Sequence, residues 1–229
     1  MNIITKNNNT WIIEDDGVRC FLLQGNDKAA LIDTGMNIEN IKEVVEGLSD
    51  KEIILLNTHA DRDHVAGNSQ FDTVHISIHE LAFYCKSNTI NNVVCLFEGD
   101  IIDLGDRKLE VINIAGHTPG SIGFYDINNK ILISGDPIQK DGRVFMFSEH
   151  RNIYAYVASL DRLNRRKDDF VEIWPSHGVL PLDNNSIELC KKDVEDILNN
   201  KIDYSLEERF GTTIRAYKGR ENIYLVDNK

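Results

Sequence analysis

The chain has 229 residues, 41% of them hydrophobic, which is enough for one well-filled core in a single domain spanning residues 1–229. A formal charge of −12 and a pI near 5.0 argue against a general grip on nucleic acid, because such a surface repels phosphate. No run approaches the roughly 18 apolar residues of a membrane span, and the N-terminus Met1-Asn2-Ile3-Ile4-Thr5-Lys6-Asn7 lacks the pattern of a signal peptide.

Cys20, Cys85, Cys95 and Cys190 are scattered through apolar patterns and form no Cys-x-x-Cys pair, so they read as buried free thiols of a reducing compartment. A cytoplasmic protein is the expectation.

In chain order, short strands are predicted at Trp11-Ile12-Ile13, Val18 to Leu23 and Lys28 to Ile32, with Asp16-Gly17 and Asn26-Asp27 supplying the turns. A helix is predicted after Asn37, carrying Ile38, Ile41, Val44, Val45 and Leu48 on one face. The apolar strand Ile53-Ile54-Leu55-Leu56 then runs into Thr58-His59-Ala60-Asp61-Arg62-Asp63-His64. A second apolar strand, Leu109 to Ile114, leads to Gly116-His117-Thr118-Pro119-Gly120. Lys130 to Gly135 leads to Asp136, and Phe170 to Ser176 leads to His177 and Gly178. Arg162, Arg165, Arg166 and Lys167 read as a solvated helix end. Asn185 with Glu188 reads as a capping box opening a terminal helix that carries Ile187, Cys190, Val194, Ile197 and Leu198 on one face.

Two imidazoles and two carboxylates within six positions, at the end of a buried strand, form a dense set of ligands for first-row metals. His117, Asp136 and His177 add three more, each at a strand exit beside small residues. Strands fix position there, and glycine lets backbone come close to an ion. Singly, each has a structural reading: a turn residue, a surface turn before Pro137, a packed imidazole. Together they read as a metal site.

His-x-Asp-x-Asp-His, Gly-His-Thr-Pro-Gly, Ser-Gly-Asp and Ser-His-Gly, in this order, resemble the motifs of the metallo-β-lactamase fold superfamily. The resemblance runs from about Asn2 to His177 and includes Leu31-Ile32-Asp33-Thr34-Gly35. It implies an α/β fold, a four-layer αβ/βα sandwich of two mixed β-sheets flanked by helices. It also implies two divalent ions per chain. His59, Asp61 and His117 would hold one, Asp63, His64 and His177 the other, and Asp136 would bridge them, with Asp33 orienting a ligand.

This chain departs from the family at Asp61, where most members carry a second histidine. A carboxylate there is a harder, negatively charged donor and shifts preference from zinc towards iron or manganese. It is similar in this respect to flavodiiron proteins, which place Glu at that position and bind two irons, and to some DNA-uptake competence proteins.

The chemistry implied is hydrolysis. Two ions roughly 3.5 to 4 Å apart would lower the pKa of a shared water and polarise a scissile carbonyl or phosphoryl oxygen. The chain has no Gly-x-Ser-x-Gly elbow, which agrees with metals replacing a nucleophilic side chain. Asp63 is the candidate catalytic residue, orienting the water and taking its proton. The expected substrate is a small ester, thioester, lactone or phosphoester. Only about 50 residues follow His177, fewer than the helical substrate domain of glyoxalase II, which disfavours a glutathione thioester. The alternative is a non-haem diiron or mononuclear iron redox protein acting on O2, NO or a sulfur species with a separate electron partner. Between Asp136 and His177, Arg143, Phe145, Met146, Phe147, His150, Arg151 and Tyr154 either line a pocket for a small anionic or amphipathic molecule or pack a helix. The oligomeric state is left open.

Overall fold

The computed structural model describes residues 1–87 and 92–228. The chain divides into two compact units, Met1–Ile112 with Ile122–Asn129 and Asn113–Ser121 with Lys130–Lys229.

The first unit is built on a seven-stranded mixed sheet whose spatial order follows the chain. Strands β1 (Asn2–Asn7), β2 (Thr10–Asp15), β3 (Val18–Gln24) and β4 (Lys28–Ile32) form an antiparallel meander. From β4 onwards β5 (Glu52–Leu56), β6 (Thr73–Ser77) and β7 (Asn92–Leu96) are added in parallel. Parallel neighbours need a crossover. Helix α1 (Ile41–Leu48) supplies the one between β4 and β5. The short α2 (Arg62–Val65) lies between β5 and β6, and α3 (Leu81–Ser87) between β6 and β7. Strands β8 (Ile101–Asp103), β9 (Lys108–Asn113) and β10 (Ile122–Asp126) complete the unit.

Apolar periodicity accounts for this packing. Ile13, Cys20, Leu22, Leu31, Ile41, Val45, Leu55, Val74 and Tyr84 share one buried cluster, with Val44 and Leu48 against its edge. Helix α1 starts at Ile41, later than its apolar face suggests. Asp15 Oδ2 accepts from the N–H groups of Met36 and Asn37, at 3.1 and 2.7 Å, and holds that stretch out of the helix. Behind the sheet Arg107 is 3% exposed and donates through Nη2 and Nε to Asp126 Oδ2, at 2.6 and 2.7 Å.

In the second unit β11 (Ile131–Gly135) and β13 (Glu172–Pro175) pair in parallel. A separate four-stranded sheet joins β12 (Arg143–Met146), parallel to β16 (Ile223–Asp227), with the antiparallel strands β15 (Thr212–Lys218) and β14 (Tyr204–Arg209) beyond it. Helix α4 (Ile153–Arg165) is capped by Asn152, whose Oδ1 accepts from Tyr154 and Ala155 N–H at 3.0 Å each. It buries Tyr156, Ser159, Leu160 and Leu163 at helical spacing. Arg165 pairs with Asp161 and Arg166 with Asp169, so that basic cluster is a solvated helix end.

Helix α5 (Asn185–Leu198) buries Ile187, Cys190, Val194 and Ile197 as its periodicity requires, but the capping box does not form. Asp183 Oδ1 accepts from Asn185 N–H at 2.9 Å instead. Glu188 turns outward to Lys192 and Lys167, which draw its carboxyl down to about 2. Nor is α5 the last element, since three strands follow it. The turn between β14 and β15 is Phe210-Gly211, both at positive φ, 49° and 75°. This two-residue geometry favours Asn-Gly, and a phenylalanine in it is strained.

Of the four thiols only Cys20 and Cys190 are buried; Cys95 is half-buried and Cys85 exposed, which corrects the expectation that all four lie in the core. Cys85 lies on an outward position of α3, facing away from the inward-turned Tyr84.

Candidate metal centre

Four of the seven expected donors lie in the first unit, all in the segment that leaves β5. His59 is fully buried two residues into the loop after Asn57. Asp61 is the N-cap residue of α2, and Asp63 and His64 lie in that helix's single turn. The short helix presents Asp63 half-exposed while His64 points inward, at 35% and 0% side-chain exposure.

Protonation of the two imidazoles follows from what lies behind them. Asp33, fully buried and at φ 62°, accepts at Oδ1 from Thr58 N–H (2.9 Å) and at Oδ2 from the Thr58 hydroxyl (2.8 Å). His64 Nδ1 lies 2.8 Å from the same Oδ2, so Nδ1–H donates to it. The only proton of the Thr58 hydroxyl is committed to Asp33. The contact of 2.9 Å between Thr58 Oγ1 and His59 Nδ1 is therefore donated by the imidazole. Both rings are left with a lone pair on Nε2. His59 Nε2 lies 3.4 Å from Asp61 Oδ2, and His64 Nε2 lies 3.7 Å from Asp63 Oδ2.

The other three expected donors lie in the second unit. His117 sits in a tight loop where Gly116 N–H donates to Thr118 O at 2.9 Å and the Thr118 and Ser121 hydroxyls meet at 2.7 Å. Gly116 has φ 138°, and a Cβ there would strike the backbone of Tyr156 on α4. Only glycine lets the loop and helix come this close. His117 Nδ1–H donates to Phe145 O at 2.9 Å, again leaving the lone pair on Nε2, which lies 3.5 Å from Asp136 Oδ2. The other oxygen of Asp136 lies 3.3 Å from His177 Nε2. Asp136 and His177 meet because β11 and β13 are parallel neighbours and end on the same side.

The Nε2 lone pairs of His59, His64 and His117, facing carboxylate oxygens at 3.4 to 3.7 Å, are repelled by them unless a cation stands between. Imidazole nitrogens oriented through Nδ1–H to a carboxylate, hydroxyl or carbonyl are the form in which histidine binds zinc, copper or iron. The donor set fits divalent metal.

Thr58 and the Phe145 carbonyl were not singled out by the sequence. A small polar residue directly before His59 was the one available signal for the first; a backbone carbonyl leaves none. Of the residues named between Asp136 and His177, Arg143 pairs with Glu207 at 2.9 Å, Tyr154 is 72% exposed, and Arg151 Nη1 donates to His117 O at 2.6 Å.

A model of the metallo-beta-lactamase superfamily matches residues 13–205. The chain belongs to the metallo-beta-lactamase superfamily. Among curated members it is 28% identical over 199 residues to the human acyl-coenzyme A thioesterase MBLAC2, covering 67% of this chain and 71% of that protein. It is 29% identical over 212 residues to a hydroxyacylglutathione hydrolase of Crocosphaera subtropica, covering 88% of this chain and 76% of that protein. The solved metallo-beta-lactamase from Pontibacter korlensis has a TM-score of 0.70 at 19% identity, covering 85% of this chain and 99% of its own. That likeness establishes the superfamily's α/β fold of mixed sheets flanked by helices. Among the described residues no helix is long and apolar enough to cross a membrane.

Proposed function

We propose that this metallo-beta-lactamase superfamily member is a metal-dependent thioester hydrolase acting on a small-molecule substrate through two divalent ions, zinc foremost, with iron or manganese as alternatives. His59, Asp61 and His117 would hold one ion, Asp63, His64 and His177 the other, with Asp136 shared. The observation that carries this reading is the locked tautomer of three histidines, each presenting an Nε2 lone pair to a carboxylate. Two relatives named for hydrolysis of an acyl group on a thiol carrier favour a thioester over the other ester classes.

Bound there, the ions would lower the pKa of water and polarise the scissile carbonyl. Asp63, half-exposed at the opening turn of α2, takes the proton of the attacking water and returns it to the departing sulfur. The acyl carbon gains the oxygen, the carbon–sulfur bond breaks, and a carboxylic acid and a thiol leave. Asp33 and Thr58 hold His64 and His59 in the ligating tautomer throughout.

The test is a substrate panel of acyl-coenzyme A, hydroxyacylglutathione, a lactone and a phosphodiester. It is run on protein stripped with chelator and reloaded with zinc, iron or manganese. Thioester cleavage that vanishes on stripping and returns on reloading is expected. No thioester turnover with any of the three metals, or turnover that survives complete stripping, would overturn the reading.

Asp61 gives a separate expectation. Its carboxylate adds one negative charge and a hard oxygen where imidazole is commoner, so Asp61→His should raise selectivity for zinc over iron or manganese by about tenfold. Competition titrations read by elemental analysis measure this, and equal selectivity in the two proteins would remove Asp61 from the ligand set.

A further inference from the structure

Within the second unit, one helix residue stands behind two of the proposed donors. Gly116 directly precedes His117, and Pro137 directly follows Asp136. The backbone of Tyr156 on α4 lies so close to Gly116 that a Cβ there would strike it, while the Tyr156 hydroxyl donates to Pro137 O. Helix α4 and its cap hold the His117 loop at two further points. Asn152 N–H donates to Gly116 O at 2.8 Å, and Ser159 Oγ donates to Ala115 O at 2.7 Å. Beyond Pro137 the carbonyls of the Asp136 loop are engaged in the same way. Asp136 O accepts from Gln139 Nε2 at 2.8 Å, Ile138 O from Ser134 Oγ at 3.2 Å, and Gln139 O from Asn222 Nδ2 at 2.7 Å. Each loop is pinned, and Tyr156 reaches from one to the other.

Packing does not call for the hydroxyl. Tyr156 is fully buried, and a phenylalanine would fill the same space with no O–H to satisfy. What the hydroxyl adds is a fixed span. The ring is rigid, so an O–H held at Pro137 and a backbone held against Gly116 set the spacing of the two loops. A metal ion is sensitive to that spacing. His117 Nε2 and Asp136 Oδ2 lie 3.5 Å apart. Two donors each about 2.1 Å from one ion at the tetrahedral angle stand about 3.4 Å apart. A drift of about 0.5 Å in either loop is enough to spoil the pair.

We infer that Tyr156 is a positioning residue of the metal centre, its backbone and hydroxyl together holding His117 and Asp136 at the separation one ion requires. This rests on the divalent-metal reading of the site. Tyr156 is no ligand itself; it acts through Gly116 and Pro137.

The test is a zinc titration of the chelator-stripped full chain against a competing chromophoric chelator. Ions are counted by elemental analysis at saturation, and thermal unfolding is followed on the stripped protein. Tyr156→Phe keeps the ring and removes one oxygen. Zinc affinity should fall about tenfold or more, as when an outer hydrogen-bond partner of a metal site is lost, and the visible absorption bands of the cobalt(II) form should shift. Leu163→Val is the comparison. It trims an apolar side chain on the buried face of the same helix, one with no hydrogen bond to lose, so it should lower Tm by a few degrees and leave zinc affinity and cobalt bands unchanged. Equal zinc affinity and cobalt bands in the natural protein and Tyr156→Phe overturn the assignment while leaving the metal reading in place. A loss of affinity in Leu163→Val that matches the loss in Tyr156→Phe also overturns it, because the effect would then be one of stability. A natural protein that takes up none of zinc, cobalt, iron or manganese overturns the metal reading, and this assignment with it.

Discussion

Asp136→Ala is expected to abolish thioester turnover, by on the order of a thousandfold or more, and to reduce metal content from two ions towards one or none. The carboxylate places one oxygen 3.5 Å from His117 and the other 3.3 Å from His177, so it addresses two imidazoles at once. A shared carboxylate also offsets the repulsion between two cations, which no terminal ligand does. Losing several kcal/mol of transition-state stabilisation corresponds to that rate loss. Elemental analysis and the rate on the preferred thioester measure the two effects. A variant that keeps two tightly bound ions would show that Asp136 does not bridge.

Asp126→Ala is expected to cost about 3 to 5 kcal/mol of fold stability, a large fraction of the roughly 5 to 15 kcal/mol that holds a domain together. Arg107 and Asp126 are 4% and 1% exposed at the side chain, and their contact is 2.6 Å. Arg107 Nη1 also donates to Thr10 Oγ1 and Asn9 O, at 2.9 and 3.0 Å, which ties β2 to the pair. Removing the carboxylate leaves a guanidinium out of water with no countercharge, the costly half of a buried pair. Urea unfolding should show a lower midpoint at unchanged slope. The double variant Arg107→Met with Asp126→Leu should recover part of the loss; a loss equal to that of the single variant would mean that packing, and not charge, governs the site.

The strands that bury two faces were legible because their apolar runs are dense: β3, β4, β5 and β11 fall within a residue or two of their predicted bounds. His59, His117, Asp136 and His177 lie in the loops that follow their strands, while Asp63 and His64 lie in the single turn of α2. Strand β1 was not legible, since every residue along it is exposed and its pattern carries no core-facing alternation. The three C-terminal strands were missed for a related reason. Tyr204 and Leu206 lie exposed on β14, and the turn that joins it to β15 carries Phe where a hairpin signal would carry Asn. The capping box at Asn185 failed because Asp183, two positions earlier, reaches the helix N-terminus first. The tautomers of His59 and His64 were beyond sequence altogether. They depend on Asp33 and Thr58, residues 25 positions apart, meeting behind the rings.

The uneven exposure of the four thiols decides what a metal count on this protein means. Cys20 and Cys190 are sealed in the core, and burial pushes the Cys190 thiol up to about 12. A thiol captures zinc only as thiolate, so neither competes with the imidazoles for a soft metal at neutral pH. Cys85 stands in solvent, where alkylating reagents and stray zinc can reach it. Blocking it with iodoacetamide before reconstitution should remove surface-bound equivalents without touching the core, and as the most exposed of the four thiols, ahead of the half-buried Cys95, it offers a place for a fluorophore that requires no mutagenesis.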